Sequence, residues 1–216
     1  MTTLLIATRN AHKVGEIQAI LGAPFRCLTL KEFPDAPAVV EDADTFAGNA
    51  TKKAVELAKW LACSECGKRN VESGNIFVLA DDSGLEVDAL NGTPGVHSAR
   101  FAALDKSENS RDADNNAKLL RLLKDVPLEK RAGRFRCVIA LATVSSPSAQ
   151  QLFDGACEGW IQFAASGHGG FGYDPLFVPD GFTQSFAELG EDVKNKLSHR
   201  AKALAKLKVY FSRLPT

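Results

Sequence analysis

The sequence predicts an α/β protein: a mixed central β-sheet flanked by helices, with a long β-hairpin inserted as a second lobe. Short apolar runs alternate with segments whose apolar residues recur every three to four positions, the signatures of strands and amphipathic helices. Strand–helix alternation favours parallel pairing. Residues 134–144 and 155–163 break that rhythm, because a short polar stretch joins them where a helix would otherwise stand. Such a pair folds back on itself, so the sheet mixes pairing directions. No repeat, low-complexity tract or linker divides the chain, and residues 1–216 are expected to form one domain.

The elements follow in order. Residues 3–7 form a short apolar strand, and Val14, Ile17, Ile20 and Leu21 then repeat at helical spacing until Gly22 stops them. Residues 26–30 read as a second strand, and the acidic, Pro-containing residues 34–44 as a loop. Thr45 is the expected N-cap of a helix whose buried face is Phe46, Ala50, Ala54, Leu57 and Leu61. After a polar connection at 63–74, the strand 76–80 is expected to stop at Asp81-Asp82 and turn at Ser83-Gly84. A second short extended piece follows at 85–90. Ala113, Ala117, Leu120 and Leu123 mark another helix; 145–150 is the hairpin turn; Leu197, Ala201, Leu204, Leu207 and Phe211 mark the last helix.

Composition narrows the function classes. Lys+Arg and Asp+Glu both number 26, so the net charge is zero, which argues against a broad nucleic-acid surface. No apolar run approaches the roughly 20 residues of a membrane span. The opening residues MTTLLIATRN lack a basic leader, so no signal peptide is expected. Five scattered cysteines then read as reduced thiols of a cytoplasmic protein. Cys63 and Cys66 form a single CxxC pair, half the ligands a structural zinc needs, so no zinc is expected there.

Four segments carry chemistry. Adjacent carboxylates at a strand end, Asp81 and Asp82, repel unless a cation or donor sits nearby, and such oxygens hold Mg²⁺ beside a phosphate. The alternative is a solvated Asp-Asp turn. Thr8-Arg9-Asn10-Ala11-His12-Lys13 joins the first strand to the first helix, where backbone N–H groups and Lys13 favour an anion; simple helix capping is the alternative. In Gly167-His168-Gly169-Gly170-Phe171-Gly172-Tyr173-Asp174, glycines allow close approach and Phe171 and Tyr173 offer faces for a base. A Gly-rich loop with its aromatics tucked into the core reads equally well. Lys194 and Ser198-His199-Arg200 cluster donors suited to ligand carbonyls, or else form a solvated basic face.

Together these segments resemble the inosine/xanthosine triphosphate pyrophosphatase family. The resemblance covers nearly the whole chain, through Glu41, Thr45-Phe46, Asn49-Ala50, ADDSGL, PGVHSARF, GGFGYDP and AEL to SHR. It implies hydrolysis of deaminated purine nucleoside triphosphates to the monophosphate and pyrophosphate, in a nucleotide cleft between the lobes. It implies that Thr8, Arg9, Asn10, Ala11, His12 and Lys13 bind the triphosphate, and that Glu41 and Asp82 hold Mg²⁺. Asp82 would also be the catalytic carboxylate, with Ser83 touching substrate. Asp81, on the opposite face of an extended chain, would brace the site or bind a second ion.

The same resemblance makes Phe171, Gly172, Tyr173 and Asp174 the base platform, and Lys194, His199 and Arg200 readers of the purine edge. A donor aimed at a 6-carbonyl rejects adenine, which carries an amino group there. The partners implied are a purine nucleoside triphosphate and a second copy of the chain in a homodimer, with no nucleic acid and no membrane. A pyrimidine triphosphate pyrophosphatase and a non-catalytic nucleotide sensor are the competing readings; FGYDP and SHR argue against the first, Glu41 and Asp82 against the second.

Overall fold

The computed structural model describes residues 2–63, 76–103, 109–148 and 150–214. Its strands are β1 (Thr2–Ile6), β2 (Phe25–Thr29), β3 (Ile76–Val87), β4 (Ala132–Thr143), β5 (Gln150–Ile161) and β6 (Phe177–Pro179). They form one sheet ordered β2-β1-β3-β4-β5-β6. β1 pairs in parallel with both neighbours, Leu4 lying opposite Cys27 and Phe77, whereas β5 and β6 are antiparallel. The mixed α/β sheet is therefore as the alternation implied. The helices are α1 (Ala11–Leu21), α2 (Phe46–Cys63), α3 (Asp112–Leu122), α4 (Phe186–Leu189), α5 (Glu191–Leu197) and α6 (His199–Ser212).

Local chemistry accounts for the elements. Leu4, Leu5 and Ile6 are wholly buried, as expected for a parallel strand covered on both faces. Asn10 caps α1, its Oδ1 accepting from the N–H groups of His12 and Lys13. The face predicted for α2 is the buried one, and Ala50, Ala54 and Ala58 along it are fully buried. In β5 burial alternates through Phe153, Gly155, Cys157, Gly159 and Ile161. That period extends the strand five residues ahead of the predicted start at 155, with Gln151, Leu152 and Asp154 exposed.

One expectation is corrected. β3 does not stop at the paired carboxylates; it runs on through Asp81, Asp82, Ser83 and Gly84 to Val87. Gly84 serves a close approach, not a turn. A Cβ there would lie 2.4 Å from the Gly95 carbonyl oxygen and from Ser98 Oγ. Ser98 Oγ in turn accepts the Leu85 N–H at 2.9 Å, so the 95–100 segment packs directly on the strand. The piece expected at 85–90 divides into the end of β3 and a 3₁₀ turn at Asp88–Leu90.

The chain forms two compact units. The first comprises Met1–Asp82, Val138–Asp154 and Ala203–Thr216; the second comprises Ser83–Cys137 and Gly155–Lys202. In the first, Phe211 of α6 meets Phe25 and Phe77 edge to face, with centroids 5.4 and 5.0 Å away. The core of the second gathers Leu85, Val87, Phe101, Leu119, Phe135, Phe177 and Phe186. Arg131 ties that core together. It is 1% exposed and donates to the carbonyls of Val126 (2.9 Å), Gln162 (3.0 Å) and Leu123 (2.6 Å), with the Phe163 ring 4.0 Å from its guanidinium. Among the described residues no helix is long and apolar enough to cross a membrane.

Candidate active site

In the first unit, the extended backbone sends Asp81 and Asp82 to different helices. Lys13 Nζ of α1 donates to Asp81 Oδ1 at 2.6 Å. Asn49 Nδ2 of α2 donates to Asp82 Oδ2 at 3.1 Å. Asp81 thus braces Lys13, while Asp82 faces α2. Burial pushes the Asp82 carboxyl up to about 6, and the Glu41 charge adds to the rise; Lys53, Lys13 and the Asn49 bond pull the other way.

Lys53 organises this cluster. Its Nζ donates to the Asp81 carbonyl oxygen at 2.8 Å and lies 3.1 Å from Glu41 Oε1 and 3.7 Å from Asp82 Oδ1. One cation therefore sits between two carboxylates contributed by the 34–44 loop and by β3. The helix-start segment is arranged more locally. Thr8 Oγ1 accepts the Asn10 N–H at 3.1 Å, and Arg9 Nη2 donates to the Ala36 carbonyl at 3.0 Å. Ala11 and His12 are exposed.

In the second unit, Lys194, His199 and Arg200 are 2%, 4% and 1% exposed, which rules out the solvated basic face. Asp174 Oδ2 accepts from Lys194 Nζ at 2.5 Å and from the Phe171 N–H at 2.8 Å. Lys194 Nζ also stands 4.4 Å from the Phe171 ring centroid, with the Arg200 guanidinium 5.9 Å from the same ring. Arg200 Nη2 donates to Ser83 Oγ at 2.9 Å. Phe171, Asp174, Lys194, Arg200 and Ser83 thus form one connected group.

Tyr173 takes the alternative course, tucked into the core. Its ring is 4% exposed within the second core, and its hydroxyl donates to the Ser98 carbonyl at 2.9 Å. A buried tyrosine needs such a partner, and this burial raises its pKa. His199 likewise stacks on Phe135, with centroids 4.9 Å apart and planes within 12°.

Comparison with known proteins bears on what this arrangement is for. A model described as "Ham1 family" matches residues 4–210. The chain belongs to the Ham1 family. A dITP/XTP pyrophosphatase of Desulforamulus reducens is 46% identical over 213 residues, covering 98% of this chain and 96% of the relative. One from Geobacter sulfurreducens is 48% identical over 210 residues, 96% of each chain. The solved structure of a HAM1 protein from Coxiella burnetii superposes with a TM-score of 0.80 at 34% identity, covering 99% of this chain and all of that one.

Within this Ham1 chain the donor set suits a hard divalent cation. Glu41 and Asp82 already share one positive charge, that of Lys53. Among the described residues no group of three or more His, Cys, Asp or Glu could hold a metal ion. Two carboxylates with the rest supplied by phosphate and water is the arrangement Mg²⁺ tolerates. Sequence reasoning missed Lys53 and assigned Asn49 no role. A signal was present: Lys53 falls on the apolar face of α2, beside Ala50, Ala54 and Leu57, where a buried lysine requires partners. Cys63 is an exposed free thiol, and Cys66 lies outside the described residues.

Proposed function

We propose that this Ham1 protein hydrolyses deaminated purine nucleoside triphosphates, ITP, dITP and XTP, to the monophosphate and pyrophosphate. In that role it clears them from the pool that supplies DNA and RNA synthesis. The observation that carries the reading is the pair of carboxylates, Glu41 and Asp82, converging on one cation in a chain so similar to dITP/XTP pyrophosphatases.

Glu41 and Asp82 are the proposed Mg²⁺ ligands, and the ion when bound would neutralise phosphate charge and polarise the phosphorus under attack. Asp82 takes the proton of the attacking water. Without the ion, burial pushes this carboxyl up to about 6, more basic than an exposed aspartate, and a cation bound beside it would draw it down again. In this reading water attacks the α-phosphorus, the α–β bridge breaks and pyrophosphate leaves. Lys13, held by Asp81, and Lys53 supply positive charge to the departing pyrophosphate, joined by Thr8, Arg9, Asn10, Ala11 and His12 at the start of α1. Phe171 and Gly172 carry the base, with Tyr173 and Asp174 anchoring them. Lys194, His199 and Arg200 donate to its edge, and Ser83 links Arg200 to the strand that bears Asp82. The same reading makes the protein a cytoplasmic homodimer without affinity for nucleic acid or membrane.

Pyrophosphate release should be measured for ITP, dITP, XTP, ATP, GTP and dUTP with Mg²⁺ and with chelator. Strong preference for the first three, abolished by chelator, is expected. Equal or better turnover of the pyrimidine, or no turnover of any of them, overturns the reading.

A further inference from the structure

The described contacts of the 171–174 loop include two from a helix that the proposed mechanism does not use. Gly172 N–H donates to Asp112 Oδ2 at 2.6 Å. The Gly172 carbonyl accepts from Asn116 Nδ2 at 3.0 Å. Asp112 and Asn116 are four residues apart on α3, so both side chains leave the same helix face. One N–H and one C=O belong to the two peptide planes flanking Gly172. Holding both planes sets the φ and ψ between them.

Gly172 needs that hold. Its φ is +64°, and a Cβ there would meet nothing within 4 Å among the described residues. Backbone conformation alone, and not crowding, calls for glycine here, and glycine has the widest choice of alternative conformations. Gly172 is also the joint between two differently placed rings. Tyr173 is anchored in the core through Ser98, whereas Phe171 is half-buried beneath Lys194. A rotation at Gly172 would swing Phe171 relative to Lys194 and Arg200. The amide of Asn116 has a defined direction as well. Its Oδ1 is buried with no hydrogen-bond partner among the described residues, and a reversed amide would set that acceptor against the Gly172 carbonyl.

We propose that Asp112 and Asn116 are positioning residues for base selection: they clamp Gly172 so that Phe171, Lys194 and Arg200 stay in register for an oxo-purine ring. This rests on the reading of Phe171 as the base platform. It predicts a selectivity effect from residues that touch no substrate.

The experiment combines kinetics with a measurement independent of activity. Asp112→Ala and Asn116→Ala should each raise KM for ITP roughly ten-fold, the effect of one lost charge-assisted or buried hydrogen bond, with kcat within about three-fold. The ITP over ATP ratio in kcat/KM should fall by a similar factor. Inhibition by inorganic tripolyphosphate, which has no base, should stay within about two-fold. Asp112→Asn keeps an acceptor for the Gly172 N–H and should recover most of the loss; Asn116→Asp, which opposes the carbonyl, should be worse than Asn116→Ala. Asp114→Ala is the control, since Asp114 pairs with Arg111 at the same helix start. In ¹⁵N-glycine-labelled protein, exchange of the Gly172 amide should quicken at least about ten-fold in Asp112→Ala. Unchanged exchange overturns the clamp. Faster exchange with unaltered KM and selectivity, or equal losses on every triphosphate and on tripolyphosphate, overturns its role in base selection. If the parent protein turns over no ITP, the proposed function fails instead, and the exchange rate still decides the clamp.

Discussion

At the scale of single residues, the buried carboxylate on β3 sets function against stability. Ionised Asp82 is costly because burial dominates its environment. Asp82→Asn keeps the shape and removes both the charge and the proton acceptor. Pyrophosphate release should fall by at least about a thousand-fold while nucleotide binding partly persists. Its folded carboxyl titrates near 6, against 3.8 for the ordinary group, so the charge destabilises the fold fully above about pH 6 and not at all below pH 3.8. In chelator, the asparagine variant should be about 1–3 kcal/mol more stable at pH 8, the gain shrinking as pH falls from 6 towards 4. Denaturant melts at the two ends of that range check the sign.

Arg200 offers the second test at this scale. A planar fork of donors suits a purine 6-carbonyl, so Arg200→Ala should cost ITP and XTP about ten- to a hundred-fold in kcat/KM and leave residual ATP hydrolysis nearly unchanged. Lys13→Ala should depress every triphosphate alike. A uniform loss in the Arg200 variant would move that side chain from base reading to phosphate binding or to the core. Reading the ratio between substrates protects the comparison from any lost stability, which matters because Arg200 also holds Ser83.

At the scale of elements, helix faces were legible and side-chain destinations were not. The apolar period of α2 was plain, because burial of Phe46, Ala50, Ala54, Leu57 and Leu61 follows from local spacing. Lys53 on that face was missed, since its partners Glu41 and Asp82 are 12 and 29 residues away. The end of β3 was misplaced for a similar reason. Asp-Asp-Ser-Gly has turn composition, but the Gly95–Arg100 segment packs on Gly84 and keeps the backbone extended. Arg131, between the end of α3 and β4, shows what such long-range satisfaction contributes. Arg131→Ala strips a donor from three buried or half-buried carbonyls and should lower stability by about 3–5 kcal/mol, while a Leu128→Ala surface control costs under about 1 kcal/mol. Equal melting temperatures for the two variants would remove Arg131 from that role.

At the scale of the whole molecule, folding and ligand binding are linked. A nucleotide that binds only the folded chain stabilises it by about 2.7 kcal/mol at a hundred times its Kd. For a chain of this length that corresponds to a rise of roughly 5–10 °C in Tm. With the inactive Asp82→Asn protein, ITP should give such a shift and ATP a much smaller one. Mg²⁺ should add less to this variant than to the parent, which retains both carboxylates. Indifference to the base would contradict the assignment of Phe171, Lys194 and Arg200.

Periodicity alone pointed to the mixed α/β class, to α1, α2, α3 and α6 and to their buried faces, because each is written in residues close together in the chain; the short elements β6, α4 and α5 were not among them, and the family rested on the resemblance of whole motifs from TRNAHK to SHR. Where the side chains go was decided only by folding. Tyr173 and Phe171 are two residues apart in the same motif, yet one fills the core and the other stays half-buried. Lys53 sits between carboxylates, and α3 reaches Gly172 across 56 and 60 residues. Burial and hydrogen-bond satisfaction depend on which distant groups share a space, and local sequence carries no record of that.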